Sequence, residues 1–246
     1  MSVKAALTPS AQFNVDEELR LMRDAIDDTR YLKARQHYQN VQKFVSELDV
    51  EESGSKDVCD QVTSALREDP IVLMLTRCVE IEQALNEFNM NEGDGWTLGL
   101  DMFGYRTHYI VEDDGNVNVR IEGRQDQLPL FEQMAVIREL PLYCEWMPFC
   151  SKSSLIEEIE HHDLISYLNV WSPLGISRDM VIRGYGSDCL QECGKVVIVA
   201  KSVDSHPGVN IPPVDRGFFL THHRSELKHL NVVFDILSPT SAKVRY

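Results

Sequence analysis

WTLGLDMFGYRTHYIVEDDGNVNVRI, residues 96–121, decides the fold class. Trp96, Leu98, Leu100 and Met102 alternate with Thr97, Gly99, Asp101 and Phe103. That two-residue period belongs to a strand, because successive side chains on an extended backbone point to opposite faces. Tyr105, Thr107, Tyr109 and Val111 repeat the pattern, and Val117, Val119 and Ile121 repeat it again. Asp113-Asp114-Gly115-Asn116 supplies a tight turn between the second and third runs, since glycine takes a positive φ without steric cost. Three strands joined this closely form an antiparallel meander.

Upstream of NEGDGW, at 91–96, the period is helical. Leu19, Met22 and Ile26 recur at three- and four-residue spacing, as do Ala34, Tyr38, Val41, Val45 and Leu48. Arg30 interrupts the stripe where two helices would part. EESGSK at 51–56 is a polar loop, and a further helix spans 57–68. Pro70 then opens PIVLMLTRCVEIEQALNEF, suited to a first turn because proline has no amide hydrogen to donate. Residues 1–69 form a helical extension and 70–246 a second domain. The extension serves either as packing or as a docking surface for a protein partner.

Downstream, LPLFEQMAVIRELPLYCEWMPFC (128–150) begins as an amphipathic helix with Leu130, Met134, Ile137 and Pro141 along one side. Asp126 or Gln127 caps it, Pro129 sits in its first turn, and Pro141 ends it. Tyr143, Trp146, Met147 and Phe149 crowd together just beyond. SSLIEEIEHH (153–162) reads as a short helix whose acids face solvent. Six strand-like segments follow: LISYLNVW, RDMVIRGYG, KVVIVAKSV, RGFFLTHH, LNVVFDIL and AKVRY. The class is α+β, and so many short strands form one strongly curved antiparallel sheet.

Composition narrows the function. The chain has 246 residues, 43% hydrophobic and 26% charged, with a formal net charge of −15. Such a field repels phosphate backbones, which argues against nucleic acid as a partner, while transient membrane contact through an apolar rim stays compatible. No apolar run is long enough to span a bilayer, and the N-terminus lacks the order of a signal peptide. Six cysteines in a chain this long make no disulfide framework, so a reducing, cytoplasmic setting is expected. Cys189 and Cys193 in GSDCLQECGK are close enough to pair or to hold zinc with a histidine, but CxxxC is a weak signal and the sequence shows no second ligand pair with zinc spacing. His161-His162 and His222-His223 have no helical spacing for a metal. GxSxG, HExxH and phosphate-loop motifs are missing, so no enzyme activity, metal or cofactor is expected.

Residues 70–246 resemble the steroidogenic-acute-regulatory-related lipid-transfer (START) domains. A helix precedes the meander. Then come Leu140-Pro141-Leu142-Tyr143-Cys144-Glu145-Trp146, Ser154-Leu155-Ile156-Glu157, Trp171-Ser172-Pro173, Arg178-Asp179 and Ser202-Val203 in the family's order. The resemblance implies a helix-grip fold: a bent sheet around a long C-terminal helix, with an internal cavity for one lipid. It departs from the family at SPTSAKVRY, where that helix is expected to follow. Without a replacement, apolar sheet surface is exposed.

The resemblance implies binding of a lipid or other hydrophobic small molecule, with transfer as a further expectation. Trp146 and Phe149 then either wall the cavity or plug it. Tyr167, Asn169 and Trp171 share one face of their strand, with Asn169 either orienting a headgroup or satisfied within the protein. Arg183 occupies the place of a cavity arginine that sterol-binding members pair with an acid on the preceding strand, yet LISYLNVW contains no acid. The alternative is an interaction or scaffold protein with a filled core.

Overall fold

Helix-forming periodicity gives way to strands near residue 95, and the chain divides into compact units at 1–78 and 79–246. The computed structural model describes residues 13–47, 55–89, 95–160, 162–171, 177–214 and 223–246.

In the first unit, α1 (Val15–Asp27) starts at Asn14, whose side chain accepts from the Glu17 amide at 3.2 Å. Asp16, Glu17 and Glu18 place negative charge against the positive end of the helix dipole. Thr29, with φ +57°, turns the chain into α2 (Tyr31–Glu47), at the break expected beside Arg30. Met22, Ala34 and Val41 are fully buried. α3 (Ser55–Ala65) and the start of α4 (Asp69–Asn89) follow. Polar groups are paired within this core: the Tyr31 hydroxyl accepts from the buried Arg77, and the Tyr31 carbonyl accepts from the Cys78 thiol at 3.2 Å.

The second unit holds the rest of α4 and one sheet. Its strands are β1 (Thr97–Met102), β2 (Tyr105–Val111), β3 (Val117–Asp126), β4 (Cys150–Glu160), β5 (Asp163–Trp171), β6 (Ser177–Cys189), β7 (Lys195–Ser202), β9 (Leu230–Ser238) and β10 (Ser241–Arg245). These nine are antiparallel in the order β1-β2-β3-β10-β9-β7-β6-β5-β4, and the two-residue β8 (His223–Arg224) pairs parallel with β6. β10 therefore lies inside the sheet, between β3 and β9. Between β3 and β4 run α5 (Leu130–Arg138), a 3-10 turn at Leu140–Leu142, and α6 (Tyr143–Trp146). The four-residue α7 (Leu190–Cys193) joins β6 to β7.

Three expectations are corrected. SSLIEEIEHH is strand for most of its length, within β4, and not a helix. Register shifts at Cys150/Lys152, Leu155/Glu157 and Glu158/Glu160 break the two-residue period, so its apolar positions imitate a helical spacing. Asp126 is not a helix cap: it closes β3, and its carboxylate accepts from Ser241 at 2.5 Å and Arg124 at 2.9 Å. The row Trp96, Leu98, Leu100, Met102 is not one face, because a bulge between Leu98 and Leu100 sets Leu98 opposite His108 but Leu100 opposite Thr107. Most of RGFFLTHH, with Ser172-Pro173, His161 and His222, lies outside the described residues.

The sheet curls toward α5. Met134 and Ile137 of this nine-residue helix pack on Val232, Phe234, Ala242 and Val244 of β9 and β10. The next residue, Arg138, reaches Glu158 of β4 at 3.1 Å. In a flat sheet β10 and β4 would stand about 24 Å apart, at about 4.8 Å per strand. One short helix touches both only because the sheet bends around it.

Candidate functional site

The two faces of this sheet differ in chemistry. On one, the end of α4 is anchored by polar contacts. Tyr185 and Lys201 both donate to Glu80, at 2.6 and 2.7 Å, and Asn231 donates to Glu87 at 2.7 Å. The Phe88 ring lies beneath Lys195, Lys243 and the Arg245 guanidinium, the last at 4.9 Å. Arg245 also donates to Glu122 and to the Phe88 carbonyl. Burial pushes the Glu122 carboxyl up, but the Arg245 hydrogen bonds and charge outweigh burial and hold it below its ordinary value. His108 and Arg120 are buried on this side too, the guanidinium 4.3 Å above the Trp96 ring.

The other face, toward α5, is apolar. Directly paired residues in a ladder share a face. Val244 pairs with Phe234 and Gly123, Gly123 with Tyr105, Ile121 with Thr107, Val119 with Tyr109, and Val117 with Val111. Leu100 and Met102 join this side opposite Thr107 and Tyr105. At β9 and β10 the surface is buried beneath α5. Across β1, β2 and β3 it is not: Leu100, Met102, Val111, Val117, Val119 and Ile121 are 37 to 60% exposed. Phe103, 90% exposed, stands at the β1–β2 turn, and Phe131 on α5 is 82% exposed. One apolar face is thus half covered and half open.

The crossover borders this face. Tyr143 donates to the Ile137 carbonyl at 2.6 Å, and burial, then the nearby Tyr246, push its hydroxyl up to about 12. Trp146 meets Tyr143 edge-on with ring centroids 4.9 Å apart and is half-exposed. Phe149 has φ +63°, a left-handed conformation that a bulky side chain seldom adopts, and its carbonyl accepts from the Trp171 amide at 2.8 Å.

The candidate residues do not gather at one point. Tyr167, Asn169, Trp171 and Arg183 share the opposite face, since Tyr185 and Asp163 pair directly and odd-numbered positions follow them along β5 and β6. Tyr167 belongs to a small core with Ile165 and Val181, against which Val209 and Ile211 pack. The Asn169 side-chain oxygen accepts from Ser151 at 2.6 Å and Ser177 at 3.0 Å. Trp171 is half-exposed at the strand end. Arg183 does have an acid on the preceding strand: β5 begins one residue before LISYLNVW, at Asp163. Arg178 and Asp179 point apart, and Asp179 accepts from Arg224 at 2.8 Å. Exposed apolar sheet surface is expected from the sequence, but which strands carry it is not: the alternation of β1, β2 and β3 is legible, and their place on the uncovered half of the face is not.

All six cysteines are free, and among the described residues no three His, Cys, Asp or Glu side chains gather to hold a metal. No described helix is long and apolar enough to cross a membrane.

A bent antiparallel sheet, with two short helices crossing from β3 to β4 and a helix ahead of β1, is a START-like fold. Human STARD10 is similar at 16% identity and a TM-score of 0.55, over 67% of this chain. The chain spans only 63% of that STARD10 structure. Human StAR-related lipid transfer protein 5 is similar at 16% identity and a TM-score of 0.55, covering 70% of this chain and 78% of its own. A STAR-related lipid transfer protein from Xanthomonas axonopodis shows 20% identity and a TM-score of 0.51, covering 62% of this chain and 80% of its own. No family model and no curated protein matches the sequence.

Proposed function

We propose that the protein binds a hydrophobic ligand, a lipid or lipid-like molecule, on the α5 face of its sheet and carries it chemically unchanged. The observation that supports this reading is the open apolar row of β1, β2 and β3, continuous with the core beneath α5. An apolar molecule laid there removes surface from water at about 25 cal/mol per Å², so affinity requires complementary shape and a few polar groups, not a catalytic residue. Tyr109 and Thr107 offer hydroxyls within the row, and Trp146 supplies an aromatic rim. The names of two of the similar structures, both lipid transfer proteins, accord with this reading. Phe103 and Phe131 are suited to brief contact with a membrane surface during loading, and six free thiols suit a cytoplasmic setting.

The test is lipid extraction. Purified protein is incubated with vesicles of mixed phospholipid, sterol and fatty acid, separated from them, and analysed by mass spectrometry. One class of lipid recovered near equimolar amount supports the proposal. Protein that emerges lipid-free, and also leaves fluorescent fatty-acid, phospholipid and sterol probes unquenched, overturns it.

A further inference from the structure

Cys144 and Cys150 bracket the crossover residues Glu145–Phe149. Cys144 lies on α6 and is exposed; Cys150 begins β4 and is half-buried. Their sulfurs stand 3.6 Å apart. A disulfide needs about 2.05 Å, so the two must close by about 1.6 Å, a change within reach of side-chain torsions. The intervening backbone is already folded into the closed loop: the Met147 amide donates to the Tyr143 carbonyl at 2.8 Å, and the Cys150 amide to the Met147 carbonyl at 3.2 Å. The loop entropy that a disulfide must otherwise overcome is thus largely removed by the fold.

We propose that Cys144 and Cys150 form a reversible disulfide, a redox modification site that staples α6 to the start of β4. A peroxide is the oxidant class that fits. The Cys144 thiolate, reached from solvent, attacks one peroxide oxygen, breaking the O–O bond and leaving a sulfenic acid with release of water. The Cys150 sulfur then attacks the Cys144 sulfur, the S–O bond breaks, and the departing hydroxide leaves as a second water with the Cys150 proton. Two thiols and one hydrogen peroxide give one disulfide and two waters. A dithiol reductant reverses the step by exchange.

The environment sets the order of attack. Burial, then the hydrogen bond with Cys144, pushes the Cys150 thiol up, which makes it a poor first nucleophile; its place 3.6 Å from the Cys144 sulfur is what suits it to resolve the sulfenic acid. Ser153 places its hydroxyl 3.2 Å from the Cys144 sulfur while its own proton is directed to the Pro141 carbonyl at 3.2 Å. By contrast, the Cys193 thiol is directed to the Cys189 carbonyl at 3.4 Å, and Cys189 is buried, its thiol pushed up to about 12 by that burial.

The full chain, reduced and then treated with one equivalent of hydrogen peroxide, is alkylated, digested and mapped by mass spectrometry. The expected product links Cys144 to Cys150 and leaves the other four cysteines alkylated. Its formation is expected to be about tenfold faster in native buffer than in 6 M-class guanidinium, because the fold supplies the effective concentration. Cys144→Ser abolishes the link; Cys189→Ser leaves it intact. A shift in Trp146 fluorescence on oxidation should reverse with dithiothreitol. Sulfinic acid at Cys144 without a link, a Cys189–Cys193 link instead, or equal rates in native and denaturing buffer would each overturn the proposal. Cys144 is exposed, so the serine variant tests it without a risk to folding.

Discussion

Arg183 donates two hydrogen bonds to Asp163, at 2.9 and 2.6 Å, and the carboxylate that receives them is only 1% exposed. The pair joins the start of β5 to the middle of β6 and fixes which residues of the two strands face each other. Removing one partner leaves a charge with little water around it. Asp163→Ala should destabilise the sheet by about 2–3 kcal/mol, less than a fully buried pair because Arg183 keeps some solvent contact. Asp163→Leu combined with Arg183→Met should recover most of that loss. Urea midpoints of single and double variants measure it, and additive losses would show that the pair is not coupled.

The Glu122–Arg245 pair sets an acid limit on stability. The Glu122 carboxyl is held below its ordinary value in the folded chain, so its contribution is fully present above the unfolded value of about 4.3. The contribution is lost as pH falls through the depressed native value. The stability of the wild-type chain should therefore decline below about pH 4.3, and Glu122→Gln should be less stable at neutral pH with a flatter acid limb. Thermal melts between those conditions decide the matter; identical acid limbs would refute it.

Gly123 sits directly opposite Tyr105, whose ring lies where a Cβ would be. Gly123→Ala should cost about 1–3 kcal/mol through overpacking. Tyr105→Ala in the same chain should relieve that clash, so the double variant should be more stable than the sum of the two single losses. Strict additivity would place the ring elsewhere.

Core and open surface should respond in opposite ways. Phe234, buried under α5, contributes to folding, and Phe234→Ala should cost about 3–5 kcal/mol. Val119, 53% exposed on the same face, should tolerate Val119→Glu within about 0.5 kcal/mol. The same change should weaken binding of an apolar fluorescent probe about tenfold, from the roughly 1.5 kcal/mol that burying a valine contributes. Unchanged probe binding in Val119→Glu would move the ligand away from this row.

Much of the fold was legible because periodicity is a local property. The meander of residues 97–121, the helix at 70–88, the break beside Arg30 and the crossover helix ending before Pro141 all appear where spacing places them. β4 resembles a helix in sequence because bulges spoil a two-residue period, and a bulge is decided by the partner strand rather than by the strand's own side chains. The acid partner of Arg183 is hidden in sequence for a similar reason: where β5 begins depends on its pairing with β6, not on hydrophobicity.

What the sequence determined by itself is the kind of most elements, β4 excepted, the alternation that gives most strands an apolar side, and the acidic net charge. Only the tertiary structure decided that β10 inserts between β3 and β9, that Cys144 meets Cys150, and which half of an apolar face lies under α5. Cover and proximity are relations between distant segments. A side chain of valine has the same hydrophobicity in the core at Val244 and in the open at Val119; packing alone makes one a structural residue and leaves the other facing water.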